Sequence, residues 1–131
     1  LNGGKSIEEP EHWAREIPEP PVIQASAAQI EHGGELYGEV CGFCHGIGVY
    51  GGPAVPDLRK MSEQTHRMFN EIVLEGVLED RGMSNFSDRL SEADVNDIYA
   101  YINSRSWQDY KLQEEAKAST QSGEQTSALA N

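Results

Sequence analysis

The residues best able to do chemistry stand together as Cys41-Gly42-Phe43-Cys44-His45. C-x-x-C-H is the attachment pattern for c-type haem. Two thiols about one helical turn apart can add to the two vinyl groups of one porphyrin, and the adjoining histidine then presents its imidazole to the iron. The same C-x-x-C spacing would also suit a thiol–disulfide redox pair or half of a zinc site. Zinc would need two further ligands, and these are the only two cysteines in the chain. His12, His32 and His66 show no paired ligand spacing. A thioredoxin-like site needs a βαβ setting, which the chain's pattern lacks. A structural disulfide is disfavoured because the loop it would close is so short.

An iron held by His45 needs a sixth ligand. Met83 lies 38 residues later, in the segment Asp80-Arg81-Gly82-Met83-Ser84-Asn85-Phe86. A thioether ligand raises the reduction potential relative to a second histidine. Gly82 would allow close approach to the haem, and Phe86 would pack on the porphyrin. Met61 and Met68 read instead as soft core fillers. His66 is the main rival ligand, but it sits beside Arg67 on an expected helix, as a surface histidine would. His12 falls in a linker and His32 on a polar helical face. A proximal histidine usually donates its free ring N–H to a carbonyl, and Pro56, heading the Pro56-Asp57-Leu58 turn, offers one. Leu58 would pack on the haem edge. Arg59 suits a haem propionate, since a guanidinium matches a carboxylate. Tyr50 would donate to a propionate or simply pack.

Three main helices must position these groups. The first is expected over 27–40, capped by Ser26, with Ile30, Tyr37 and Val40 near one face. Gly33 and Gly34 inside it cost about 1 kcal/mol each against Ala, which points to close approach of another backbone. The second is expected over 63–75, capped by Ser62 and stopped by Gly76, with Met68, Phe69, Ile72 and Val73 as its apolar face. The third is expected over 92–104, with Ser91 and Asp94 as an approximate capping box and Val95, Ile98, Tyr99 and Ile102 at helical spacing. Strand signals are weak throughout, so the body is all-α.

Residues 1–26 read as a Pro-rich acidic linker: Pro10, Pro18, Pro20 and Pro21 punctuate it, and five Glu face Lys5 and Arg15. Such sequence favours extended conformations over a core. Residues 111–131 read as a flexible polar tail. The functional body is 27–110. Only 37% of the chain's residues are hydrophobic, so a buried cofactor would supply missing apolar volume. The net charge of −12 argues against nucleic-acid binding, which needs a basic face, and suits steering of a basic partner. No run approaches the roughly 20 apolar residues of a membrane span. The first residues lack the apolar stretch of a signal peptide, as expected of a processed protein or a piece of a longer one.

Taken together, these residues resemble the class I cytochrome c family over about 27–110. The likeness rests on Gly33 and Tyr37 ahead of Cys41-x-x-Cys44-His45, on Pro56-Asp57-Leu58 and Gly82-Met83, and on Ile98-Tyr99-Ala100-Tyr101-Ile102. It implies a cytochrome c fold with three main helices around one covalent haem c. The first helix would cross the last almost perpendicularly at Gly33, with Tyr37 against Ile98 and Tyr101. The runs 56–62, 72–76, 81–83 and 90–95 look like the C-terminal haem domain of quinohaemoprotein alcohol dehydrogenases. Leu1-Asn2-Gly3-Gly4-Lys5 resembles the end of their pyrroloquinoline quinone (PQQ) propeller. That likeness implies a periplasmic or secreted protein relaying electrons from a fused PQQ dehydrogenase domain; a monomer is expected. Other redox partner proteins would serve a free-standing periplasmic carrier. A haem peroxidase would need an open sixth position and a distal base, and Met83 closes the first. Ser84 departs from the family, which often has Pro there, as does the long tail after Tyr110.

Overall fold

The computed structural model describes residues 16–52 and 55–130, with side chains as far as residue 120. Helix α1 spans Ala27–Leu36. The Ser26 hydroxyl accepts the Gln29 N–H at 3.1 Å, and the Gln29 side chain accepts the Ser26 N–H at 3.0 Å. This reciprocal capping box satisfies two backbone donors that a helix start leaves unpaired. The helix then widens into a π turn over Tyr37–Cys41 and tightens again into α2, Gly42–His45. One winding rod thus runs from Ala27 to His45, five residues past the expected end. A π turn adds a residue per turn and re-aims the side chains that follow; here those include Cys44 and His45. Gly46, at φ +85°, ends the rod.

After a folded-back loop come a 3₁₀ turn at Leu58–Lys60, α3 at Glu63–Arg67 and α4 at Phe69–Glu75. Ser62 caps α3 by accepting the Thr65 N–H. The single helix expected over 63–75 is broken at Met68, whose φ of −101° and ψ of 12° leave the helical basin. Gly76 closes α4 at φ +72°, in the left-handed region. A second 3₁₀ turn, Glu79–Arg81, precedes the Met83 loop. The last helix, α5, spans Glu92–Ala130. Its start carries the expected Ser91–Asp94 box, with bonds of 3.0 and 3.1 Å. There is no strand among the described residues, only an isolated bridge between Gly52 and Val55.

The most extensive interface is that of α1 with α5. A Cβ at Gly33 would overlap the Asp97 carbonyl. The glycine that local propensity disfavours is therefore required by the crossing. Tyr37, 2% exposed, lies 5.4 Å from the Tyr101 ring. Ile98, Ile102, Val95 and Val49 complete the most deeply buried set.

Two expectations change at the ends. The polar segment after residue 110 is helical through Ala130 rather than irregular. From Ser104 to Ser122 it contains no Gly or Pro and is rich in Ala, Glu, Gln and Lys, so nothing local stops a helix already begun. The expected linker has no helix or strand over 16–26, and it docks along α5 through bonds such as Asn103 to the Pro21 carbonyl. Residues 1–15, including His12 and Pro10, lie outside the described residues.

Candidate haem site

Cys41 closes the π turn, and Cys44 and His45 sit on α2. Cys41 is half-buried and packed on the core, whereas Cys44 is exposed. Burial, with the neighbouring Cys44 second, pushes the Cys41 thiol up to about 11. Such a thiol is protonated at neutral pH and a poor nucleophile, the reverse of an activated redox cysteine. Both thiols are free, as attachment to a porphyrin requires.

His45 is buried. Burial lowers its pKa, and the Pro56 carbonyl opposes that by weak hydrogen bonding to the ring. Among the described residues, Nδ1 of His45 is the one buried side-chain nitrogen or oxygen without a hydrogen bond of full geometry. A buried polar atom left in that condition calls for an explanation. A neutral imidazole is the form that ligates a metal, and a carbonyl acting on its ring helps to orient it.

The loop after His45 is built to bring Pro56 there. The Tyr37 hydroxyl donates to the Gly46 carbonyl at 2.7 Å, Gly51 N–H donates to the His45 carbonyl at 2.8 Å, and Leu58 N–H donates to the Val49 carbonyl at 2.9 Å. Gly51, at φ +80°, passes so close to the Val55 and Pro56 carbonyls that a Cβ would collide with them. Val49 stands at φ +59° with its side chain fully buried. A β-branched residue there is a strained outlier. Burial of its side chain holds it, and no pattern in the sequence announced it.

Met83 is half-buried and packs against the core cluster, as do Cys41, Leu58 and Phe86. Its loop is anchored by Met83 N–H to the Leu78 carbonyl at 3.1 Å and by Phe86 N–H to the Val73 carbonyl at 2.9 Å. Gly82 stands at φ +100°, in the left-handed region that favours glycine. His66 is engaged elsewhere, its Nδ1 2.8 Å from the Tyr99 hydroxyl. His32 pairs with Asp97 at 2.8 Å on the exposed face of the helix crossing. Met61 is buried in the core.

Arg59 is held by Asp57 at 2.7 Å and Asp109 at 3.2 Å, and its guanidinium lies 4.2 Å from the centre of the Tyr50 ring. Arg105 joins the network, bonding Asp109 at 3.0 Å and the Tyr50 hydroxyl at 3.3 Å. Arg105 and Asp109, which the structure adds to Arg59 and Tyr50 in this network, were not singled out in the sequence. Their i,i+4 spacing on α5 was the available signal. Around the attachment residues Phe43 and Ile47 are 96% and 93% exposed.

Paired thiols beside a buried imidazole are residue types able to hold a haem covalently, and Met83 is a candidate for a thioether ligand. The family model described as Cytochrome C oxidase, cbb3-type, subunit III matches residues 28–102. The chain belongs to this cytochrome c family. Its cofactor is covalently bound haem c and its function is electron transfer.

More particular likenesses are to quinohemoprotein alcohol dehydrogenases. ADH IIB of Pseudomonas putida is 39% identical over 100 residues, which are 76% of this chain and 14% of that protein. Lupanine 17-hydroxylase [cytochrome c] of a Pseudomonas species is 30% identical over 119 residues, 89% of this chain and 17% of that protein. The solved structure of ADHIIG from Pseudomonas putida HK5 superimposes with a TM-score of 0.63 at 33% identity, covering 73% of this chain and 15% of that one. The chain thus spans about a seventh of the length of these relatives.

Proposed function

We propose that this domain relays single electrons from a PQQ-dependent, alcohol-oxidising dehydrogenase domain to an external acceptor. Cys41 and Cys44 would hold the haem through thioether bonds, with His45 and Met83 as axial ligands. The observation that carries this reading is His45: buried, directly after the second thiol, with the Pro56 carbonyl acting on its ring and Nδ1 lacking a full hydrogen bond. When bound, the haem supplies a one-electron couple whose potential follows from axial ligands and burial. The protein forms no bond in each turnover. Its residues fix the imidazole through Pro56, hold the thioether loop on α4, and exclude water with Leu58 and Phe86. Arg59 and Tyr50 form the polar edge suited to the propionates.

The donor rests on the likeness to quinohemoprotein dehydrogenases, of which the chain spans 14% in ADH IIB. A periplasmic, monomeric setting belongs to the same proposal. The acceptor would be a protein with a basic docking face, drawn by the net charge of −12. Among the described residues no helix is long and apolar enough to cross a membrane.

The deciding experiment is an optical spectrum of the purified chain, oxidised and dithionite-reduced, with a pyridine haemochrome assay. The expected result is a covalent c-type haemochrome with a weak near-infrared sulfur-to-iron band in the oxidised form. Covalent haem without that band would remove Met83 and reopen His66 and an enzymatic role. Absence of haem from cells competent in c-type maturation would sink the proposal. Reduction by a PQQ dehydrogenase, followed at the haem α-band, tests the donor, and a haem that stays oxidised would favour the free-standing carrier.

A further inference from the structure

The extended segment ahead of α1 is clamped at several places onto the part of α5 that lies beyond the haem-side core. The Gln113 carboxamide bonds both backbone groups of Ile17: its oxygen accepts the Ile17 N–H at 2.8 Å and its nitrogen donates to the Ile17 carbonyl at 2.9 Å. It thereby serves as a neighbouring strand would. Asn103 and Trp107 both donate to the Pro21 carbonyl, at 2.8 and 3.0 Å. Lys117 reaches the Glu16 carboxylate at 3.3 Å. Ile17 is buried, and so is Pro20. The clamps run antiparallel along the helix from Asn103 to Lys117, about 21 Å at 1.5 Å per residue.

A proline-rich extended strand makes no internal hydrogen bonds, so its carbonyls and N–H groups need outside partners or water. Pro18, Pro20 and Pro21 also restrict the unbound chain and so lower the entropy lost on docking. A tether needed only for reach would require neither the clamps nor a last helix prolonged past Ser104. The helix that carries the clamps also forms the core wall: Val95, Ile98 and Ile102 of α5 belong to the cluster on which Cys41 and Met83 pack.

We infer that residues 16–21 and the stretch of α5 from Asn103 to Lys117 form a splint, which fixes where the N-terminal segment leaves the domain relative to the haem. It rests on the fused-donor proposal only in its purpose: a donor joined ahead of residue 16 is presented to the haem from one side, instead of wandering at the end of a flexible tether. Gln113 and Trp107 are then positioning residues that touch neither donor nor haem.

The test uses the haem-loaded chain with Glu19→Cys carrying a nitroxide. Its distance from the ferric iron is read by pulsed electron paramagnetic resonance, and exchange of the Ile17 amide by NMR. The expected result is one narrow distance distribution that broadens in Gln113→Ala and in Trp107→Phe. Trp107→Phe removes a bond at Pro21, yet it should speed exchange at Ile17 about fivefold or more if the strap acts as a unit. The haem spectrum reports that each variant's domain is intact. Gln113, outside the core cluster, decides the matter if Trp107→Phe disturbs the fold. A broad distribution in the unaltered strap, or one that stays narrow in Gln113→Ala, overturns the splint. A narrow distribution with a haem that a PQQ dehydrogenase cannot reduce leaves the splint standing and removes the donor. A broad one with a reducible haem does the reverse.

Discussion

Met83 and His45 differ in how firmly the protein holds them. His45 is anchored on a helix and buried, and Pro56 is delivered to it by a loop that needs Gly51 and a strained Val49. Met83 hangs on a loop secured through Leu78 and Val73. Replacing Met83 with Ala should therefore leave the haem attached while lowering the reduction potential, because the thioether that raises it is gone. The iron should also accept added imidazole. Spectroelectrochemical titration checks the first outcome and an imidazole difference spectrum the second. An unchanged potential with no imidazole binding would mean that another residue ligates the iron. The C-x-x-C-H run and its match to a cytochrome c family were legible from residue type and spacing alone. Val49 was not, because a positive φ in a β-branched residue is imposed by surrounding packing and leaves no trace in composition.

At the scale of elements, the crossing of α1 on α5 governs stability. Gly33→Ala pushes a methyl into the Asp97 carbonyl and should destabilise the domain by about 3 kcal/mol, the upper part of the usual range for overpacking. The measurement is the denaturant midpoint of the haem-loaded protein, and an unchanged midpoint would contradict so close a crossing. The same crossing carries the exposed His32–Asp97 pair. The hydrogen bond to Asp97 raises the His32 pKa above its ordinary value. The stabilisation from this pair is fully present below the unfolded value of about 6.5 and is lost as pH rises through the raised folded value. Thermal melts across this window should show stability falling with pH in the native chain, and His32→Gln should flatten that component. The Gly33 crossing could be read from a glycine placed against propensity. The break at Met68 could not, since neither Gly nor Pro marks it and Met68 itself opens the apolar face of Met68, Phe69, Ile72 and Val73.

At the scale of the molecule, only 37% of the residues are hydrophobic, so a buried haem would add apolar volume that a small core lacks. Chain prepared without haem should lack a cooperative thermal transition by circular dichroism, whereas haem-loaded chain should melt in one step. A native-like melt of the haem-free chain would show that the polypeptide core suffices. The net charge of −12 and the last helix prolonged to Ala130 are features of this scale too, the first in the proposed acceptor encounter and the second in the proposed splint.

The sequence by itself determined the chemistry and the main helices, because both are local. Thiols one turn apart before a histidine, a glycine amid helix formers and apolar residues at helical spacing are each written within a few adjacent positions. Tertiary structure alone decided what joins distant positions. Gln113 finds Ile17 across 96 residues, Asn103 finds Pro21 across 82, and Arg59 finds Asp109 across 50. Such polar pairs carry no periodicity, because a hydrogen bond depends on where two groups meet in space and not on how many residues lie between them.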